Sequence, residues 1–251
     1  MAVFDGCQKR PLPRPNSLSN CPAFNRHIEL INSCPAMYKP IRAVIFDSDG
    51  TLVDSEVPAM DVLHEMALGL GLGLSRDEAH ARFRGVRMAD IAAWIGAQVP
   101  DKPAHFEADF IKRYRETITQ RFKENLSPMP GAVELLSNLK IPFGVATNGP
   151  REKVQLTLDL TGLLPFVGDR IFSAYDHGCF KPDPALFLIA AQTLGQEPQY
   201  CAVVEDSVPG LIAGVAAGMQ VFSLHGRVGV PEEICERVNF ITSLSDLNNY
   251  F

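Results

Sequence analysis

Short, continuously apolar runs alternate with longer helical patterns along most of this chain, and this alternation restricts its fold more than any other feature. The apolar runs occupy residues 43–46, 143–146, 170–173, 201–204 and 221–224, with a weaker run at 240–242. Several are apolar at every position, as strands buried on both faces are. Helical patterns at 132–139, 152–160, 185–194 and 208–217 separate the later runs. Because strand-helix-strand crossovers join parallel strands, the sequence predicts an α/β fold with helices on both faces of an open parallel sheet.

A helical block interrupts this alternation after the first strand. Residues 55–130 contain no convincing strand pattern, and helical stretches occupy 59–70, 76–83, 89–95 and 106–122. We therefore predict a helical cap over 55–130 and a core formed by 41–54 and 131–251. Hinges are expected near 53–57 and 126–131, where Pro128, Pro130 and Gly131 disfavour regular structure.

Residues 1–40 differ from the rest of the chain. Six prolines interrupt any helical or strand period there, and no apolar stretch is long enough for a signal peptide. The composition predicts a disordered leader over 1–40. Met37, close to the first strand, is an alternative start of translation.

Composition restricts the class of protein and the kind of partner. A chain of 251 residues with 46% hydrophobic and 21% charged residues is typical of a globular protein, and no apolar run is long enough to span a membrane. A formal net charge of −6 argues against a broad nucleic-acid surface. The six cysteines are widely scattered, without the close pairs of a zinc site or the density of a disulfide-rich domain. We therefore interpret them as reduced thiols. We expect a cytoplasmic monomer or small homo-oligomer that binds a small molecule and neither nucleic acid nor membrane.

The first apolar run leads directly into two acids, Asp47 and Asp49, followed by Gly50. Residues i and i+2 at a strand end point the same way, so both carboxyl groups face one crevice. Two such groups repel each other unless a cation or a shared proton lies between them. The spacing indicates a cation or proton-transfer site, and an ordinary acidic turn after a strand is the alternative interpretation.

Polar residues also follow three later runs, at the carboxyl ends where open α/β sheets bind ligands. Thr147 and Asn148 precede a helix, which suits phosphate oxygens, although both residue types are also common helix caps. Lys181 offers a positive charge for phosphate, or is an ordinary surface lysine. Glu205 and Asp206 end the next run, where burial of two acids requires a cation.

These four elements, in this order, resemble the four motifs of the haloacid dehalogenase superfamily over nearly the whole chain after residue 40. The resemblance implies a Rossmann-like parallel-sheet core with an inserted α-helical cap. By this resemblance, Asp47 is the nucleophile and Asp49 the general acid and base. It also implies phosphate binding by Thr147, Asn148 and Lys181, and a Mg²⁺ ion held by Asp47, Asp206, Glu205 and the backbone carbonyl of Asp49.

The second acid distinguishes branches of this family. True dehalogenases lack an acid at the place of Asp49, so the resemblance favours phosphate chemistry through an aspartyl-phosphate. Short matches to the helical-cap phosphatases include Asp54-Ser55-Glu56-Val57 and Asn148-Gly149-Pro150. They imply a Mg²⁺-dependent phosphatase for a sugar phosphate or sugar-acid phosphate, with 6-phosphogluconate the expected substrate. Arg84, Arg87 and Arg151 are candidates for binding the second anionic group of such a substrate, since guanidinium groups pair bidentately with carboxylates.

Two alternatives of other classes remain open. One is a phosphosugar mutase of the β-phosphoglucomutase type; that branch carries a cap histidine shortly after the first motif, where Glu56-Val57-Pro58-Ala59 offers none. The other is a non-catalytic protein that binds a phosphorylated metabolite, which the presence of every expected reacting residue disfavours.

Overall fold

The structure, a computed structural model, describes residues 39–83, 86–224 and 226–251. The leader predicted for residues 1–40, except its last two residues, therefore lies outside the described residues. Arg84 lies outside them as well.

Within the described residues, one six-stranded sheet forms the centre of the molecule, and all of its strand pairs are parallel. Its strands are β1 (Ala43–Phe46), β2 (Phe143–Thr147), β3 (Ile171–Ser173), β4 (Cys201–Glu205), β5 (Gln220–Ser223) and β6 (Val238–Phe240). They lie in the order β3-β2-β1-β4-β5-β6. The predicted parallel α/β fold is thus confirmed, and β1 lies between β2 and β4 with its carboxyl end in the middle of the sheet edge.

The last strand differs most from its sequence prediction. We expected a run at 240–242, whereas β6 covers Val238–Phe240 and pairs Val238 with Val221 of β5. A strand at the edge of a sheet has a neighbour on one side only, and the two later residues of β6 are only partly buried. Its sequence therefore lacks the continuous apolar pattern that marks the central strands.

Between β1 and β2, the described part of residues 55–130 forms four helices. They are α1 (Glu56–Gly69), α2 (Arg76–Phe83), α3 (Met88–Gln98) and α4 (Phe106–Glu124), and together we call them the helical insertion. The insertion has its own apolar cluster, which includes Leu63, Phe83, Ile95 and Phe110. The segments that lead into and out of it meet where the Asp54 amide donates to the Ser127 carbonyl at 3.0 Å. That this insertion acts as a separate cap stays a prediction.

The remaining helices cover both faces of the sheet. They are α5 (Ala132–Asn138), α6 (Arg151–Leu160), α7 (Leu164–Val167), α8 (Ala174–His177), α9 (Ala185–Thr193), α10 (Val208–Ala216) and α11 (Glu232–Cys235), with 3₁₀ turns at Pro198–Tyr200 and Leu244–Asn249. Successive residues of β1 enter opposite apolar layers: Ile45 packs with Phe187 of α9, and Phe46 lies in the layer that contains Leu158 of α6. This double burial fixes β1 and the acids that follow it. Among the described residues, no helix is long and apolar enough to cross a membrane.

Candidate active site

The site begins where β1 ends. Asp47 directly follows Phe46 and is buried, and Gly50 then turns the chain with a φ of 78°. Only glycine adopts that conformation without strain. A Cβ atom on Gly50 would also lie 2.2 Å from Oδ2 of Asp206. This glycine therefore allows the loop after β1 and the acid after β4 to approach each other.

Lys181 contacts the carboxyl ends of three strands, β1, β2 and β4. Its ammonium donates to Oδ1 of Asp47 and to Oε1 of Glu205, each at 2.6 Å, and to the Ala146 carbonyl at 2.8 Å. The side chain is only 2% exposed. Burial opposes its charge, but the carboxylates of Asp47 and Glu205 outweigh that effect and raise the pKa of Lys181. All three ammonium donors are satisfied, so the lysine is a fixed positive charge inside the protein.

Glu205 is held through both of its carboxylate oxygens. Oε1 accepts from Lys181, and Oε2 accepts from the amides of Asp206 and Ser207 and from the Ser207 hydroxyl. Gly210 in the first turn of α10 leaves the space for this carboxylate, since a Cβ atom there would lie 1.8 Å from Oε1. The fold thus surrounds a fully buried acid with donors, as a buried charge requires.

The acids at the strand ends shift one another's pKa. Burial, opposed by Lys181 and reinforced by the charges of Glu205 and Asp49, raises the pKa of Asp47 to about 7. Burial is also the main cause that raises the pKa of Asp206, and the charges of Glu205 and Asp47 add to it. The shared negative charge makes the ionised form of these carboxyl groups costly, which a nearby divalent cation would relieve.

Three of the acids are close enough to share one ion. Carboxylate oxygens of Asp47, Glu205 and Asp206 all lie within 4.8 Å of one another. Hard oxygen ligands of this kind suit Mg²⁺, so the donor set fits the expected metal. The side chain of Asp49 is not part of this group; its expected contribution was the backbone carbonyl.

Asp49 instead turns toward two residues that sequence reasoning missed. Its Oδ1 accepts from the Ser55 hydroxyl at 2.6 Å and its Oδ2 from the Lys153 ammonium at 2.7 Å. Burial alone would raise the pKa of Asp49, but Lys153 and Ser55 outweigh it and lower that pKa. A signal was present, because Lys153 lies in the first turn of α6, where the helix dipole disfavours a cation without a partner.

Thr147 is the last residue of β2 and Asn148 follows it, and the two residues make different contacts. The buried Thr147 hydroxyl accepts from the Gly149 amide at 2.9 Å. The Asn148 side chain accepts from the backbone N–H of Lys181 at 2.9 Å and donates to its carbonyl at 3.2 Å. Asn148 thus holds the loop that carries the buried lysine, a role that the motif alone did not indicate.

The described arginine candidates have partners within the protein. Arg87 pairs bidentately with Asp90 at 2.8 and 3.0 Å and is 83% exposed. Arg151 donates to Asp176 and to the Ile171 carbonyl, each at 2.6 Å. Binding of an anion by either residue therefore requires an exchange of partners.

The helical insertion also reaches this site. Burial raises the pKa of Tyr114 in α4, and the charge of Asp49 adds to that effect. The Tyr114 phenol is thus within range of the charge of Asp49, and Ser55, which donates to Asp49, immediately precedes α1. Asp49 stands between the core and the insertion.

The chain is similar to known hydrolases in sequence and in fold. A family model described as haloacid dehalogenase-like hydrolase matches residues 41–218. The chain is 37% identical over 207 residues to 6-phosphogluconate phosphatase of Escherichia coli K12, covering 82% of this chain and 93% of the relative. It is 31% identical over 205 residues to hexitol phosphatase A of the same organism, covering 76% and 86%. It is also similar to a family hydrolase from Deinococcus radiodurans solved with bound phosphate and sodium (TM-score 0.65, 32% identity, 80% and 92% coverage).

Proposed function

This chain belongs to the haloacid dehalogenase-like hydrolases, and from that membership we propose that it is a Mg²⁺-dependent phosphatase acting on a small sugar-acid phosphate, first of all 6-phosphogluconate. The observation that carries the proposal is the buried contact of 2.6 Å between Lys181 and Asp47 beside the acids of β4. A nucleophilic carboxylate next to a fixed positive charge suits attack on an anionic phosphate.

Asp47 is the proposed nucleophile. A carboxylate oxygen of Asp47 attacks phosphorus, the ester bond to the sugar oxygen breaks, and an aspartyl-phosphate forms. Lys181 remains next to Asp47 and spreads the negative charge of the transferring group. Its bond to Glu205 keeps the ammonium in place throughout.

Asp49 is the proposed general acid and base. The charge of an arriving phosphate raises the pKa of its carboxyl group, so that Asp49 takes up a proton. It gives this proton to the leaving alkoxide, and later it accepts one from the water that hydrolyses the aspartyl-phosphate. One residue therefore serves both halves of the reaction.

Thr147 and the amides at the start of α6 are the proposed phosphate cradle. A helix that begins at a strand end presents free N–H groups and a positive dipole end, which suit phosphate oxygens. Asn148 supports this cradle indirectly, since it holds the backbone of Lys181.

Asp47, Asp206 and Glu205 are the proposed carboxylate ligands of Mg²⁺, together with the backbone carbonyl of Asp49. When bound, Mg²⁺ would supply positive charge for the phosphoryl oxygens. The fit rests on the proximity of these carboxylates and on the raised pKa values of Asp47 and Asp206.

The helical insertion is the proposed cap, over residues 55–130, and the proposed source of substrate specificity. The name of the 37% identical relative supports 6-phosphogluconate as substrate. Arg84, Arg87 and Arg151 stay the proposed readers of its carboxylate. A cytoplasmic location and a monomeric or small homo-oligomeric state belong to the same proposal.

A phosphate-release screen over sugar phosphates with Mg²⁺ tests this function. We expect 6-phosphogluconate to be cleaved with a higher kcat/KM than glucose 6-phosphate. Activation by a bisphosphorylated sugar, with formation of an isomer and no net phosphate release, would instead identify a mutase. Absence of both reactions, with tight binding of a phosphorylated sugar, would favour the non-catalytic alternative.

A further inference from the structure

Each carboxylate oxygen of Asp49 accepts a hydrogen bond from a different side chain. The Ser55 hydroxyl donates to Oδ1 at 2.6 Å, and the Lys153 ammonium donates to Oδ2 at 2.7 Å. A carboxylate with a single partner rotates about its terminal torsion, because that torsion is broad. Two donors on opposite oxygens define the plane of the group.

Lys153 holds this position against its local preference. It is the third residue of α6, where the positive end of the helix dipole disfavours a cation. Its side chain is 38% exposed, so water is available to its ammonium as an alternative. The contact with Asp49 is therefore the feature that accounts for its direction.

The two cationic residues in the first turn of α6, Arg151 and Lys153, contact different parts of the protein. Arg151 pairs with Asp176 and the Ile171 carbonyl, on the side of β3. Lys153, two residues later, reaches across to the loop after β1. Lys153 therefore touches the acid that follows the proposed nucleophile, whereas Arg151 ties α6 to the neighbouring strand.

We propose that Lys153 is a positioning residue that orients Asp49 for proton transfer to the leaving group, a step that rests on the acid role of Asp49 proposed above. Lys153 keeps hold of Oδ2. The Ser55 hydroxyl stays against Oδ1 through that atom's remaining lone pair, while Oδ1 carries the proton and faces the sugar oxygen. The proton then passes from Oδ1 of Asp49 to that oxygen as its bond to phosphorus breaks.

This role makes the effect of Lys153 depend on the leaving group. An alkoxide is strongly basic and needs a proton as it leaves, whereas p-nitrophenolate leaves without one. The constant kcat/KM covers only the steps through phosphoryl transfer to Asp47. It therefore isolates the acid step from the later use of Asp49 as a base.

The test compares Lys153→Met, Lys153→Arg and the matched control Lys140→Met with 6-phosphogluconate, glucose 6-phosphate and p-nitrophenyl phosphate. Lys140 is exposed and precedes β2, so it lies at the opposite end of the sheet. We expect Lys153→Met to lower kcat/KM about tenfold with both sugar phosphates, since charge-assisted hydrogen bonds are worth this much, and less than about twofold with the aryl phosphate. Lys153→Arg should recover most of the loss, and Lys140→Met should match the parent enzyme.

A second arm combines Lys153→Met with Asp49→Ala. If Lys153 acts through Asp49, the double variant is no slower than Asp49→Ala alone. Equal losses with all three substrates, a loss only with 6-phosphogluconate, or an added loss in the double variant would each overturn the inference. The Asp49→Ala variant alone tests the acid role of Asp49. If it lowers kcat/KM equally with aryl and sugar phosphates, Asp49 is not the general acid, independently of the result for Lys153.

Discussion

Ion pairs at the strand ends and ion pairs in the helical insertion use the same residue types in opposite surroundings. The side chain of Lys181 is 2% exposed and bridges Asp47 and Glu205, whereas Lys102, paired with Glu107 in α4, is 33% exposed. A buried charge destabilises the folded state unless it is fully paired. An ion pair exposed to water contributes little to the free energy of unfolding. The buried set therefore depends on complete pairing, and the exposed set can change without loss of the fold.

The largest contrast should come from the central acid. Asp47→Asn should abolish turnover, because an amide does not supply an anionic oxygen to attack phosphorus. The matched control is Asp61→Asn in α1, whose carboxylate pairs with Arg76 and His80 in the insertion. Phosphate release from both variants is the measurement. Appreciable turnover by a pure Asp47→Asn variant would move the nucleophile elsewhere.

Metal removal should have nearly the same effect on turnover. Chelator should abolish activity and Mg²⁺ should restore it, because Asp47, Glu205 and Asp206 present clustered oxygens to one ion. Mg²⁺ at about one hundred times its Kd should also stabilise the fold by about 2.7 kcal/mol. Thermal unfolding with and without Mg²⁺ measures this directly. A rise in Tm that persists in Asp206→Asn would place the ion outside this cluster.

Removal of a lysine should lower the stability of the protein much more at the buried strand ends than in the exposed insertion. Lys181→Met leaves Asp47 and Glu205 buried without their cation and should lower the free energy of unfolding by about 3–5 kcal/mol. Lys102→Met should leave that free energy almost unchanged, since its pair lies in water. Denaturant unfolding of both variants measures the difference.

The stability lost in Lys181→Met should depend on pH. The pKa of Asp47, raised to about 7, lies above the ordinary 3.8 of an unfolded aspartate, so the folded state binds the extra proton as pH falls. Lys181 is the cause that lowers this pKa, so the Lys181→Met variant takes up the proton at a higher pH than the parent does. The stability lost in Lys181→Met should therefore shrink as pH is lowered from 9 to 7, since protonation removes one unpaired buried charge from the variant first. A loss that is constant over this range would mean that packing, and not charge, accounts for it.

The smallest expected effect concerns substrate recognition. An arginine that reads the substrate carboxylate should, when replaced by alanine, cost about tenfold in kcat/KM with 6-phosphogluconate and little with glucose 6-phosphate. Arg84, Arg87 and Arg151 are tested one at a time. Losses that are equal for both substrates in all three variants would show that none of them reads the carboxylate.

The strand ends were predictable from sequence because backbone topology alone places them. Continuous apolar runs gave β1, β2 and β4, and parallel pairing brings the residues after them together at one edge. The contacts of Lys153 and Ser55 with Asp49 were not predicted. They depend on long side chains and hinge geometry, which leave no period in the sequence.

The same limit applies to the arginine candidates. A motif match selects Arg87 and Arg151 by residue type, but it carries no information on the acids that lie beside them. Asp90 is three residues from Arg87, and Asp176 comes from a separate helix. Asn148 shows the reverse case, since its position was predicted and its contact with the Lys181 backbone was not.

The central position of β1 has a consequence for synthesis of the protein. β1 is the first strand of the described sheet to be made, yet its neighbour β4 is completed about 160 residues later, at Cys201–Glu205. Until then one apolar edge of β1 has no partner, and such edges promote aggregation. Asp47 likewise meets Lys181 and Asp206 only after most of the chain has left the ribosome. Catalytic competence should thus appear late and all at once, and recovery of activity during refolding would report formation of the β1–β4 pair.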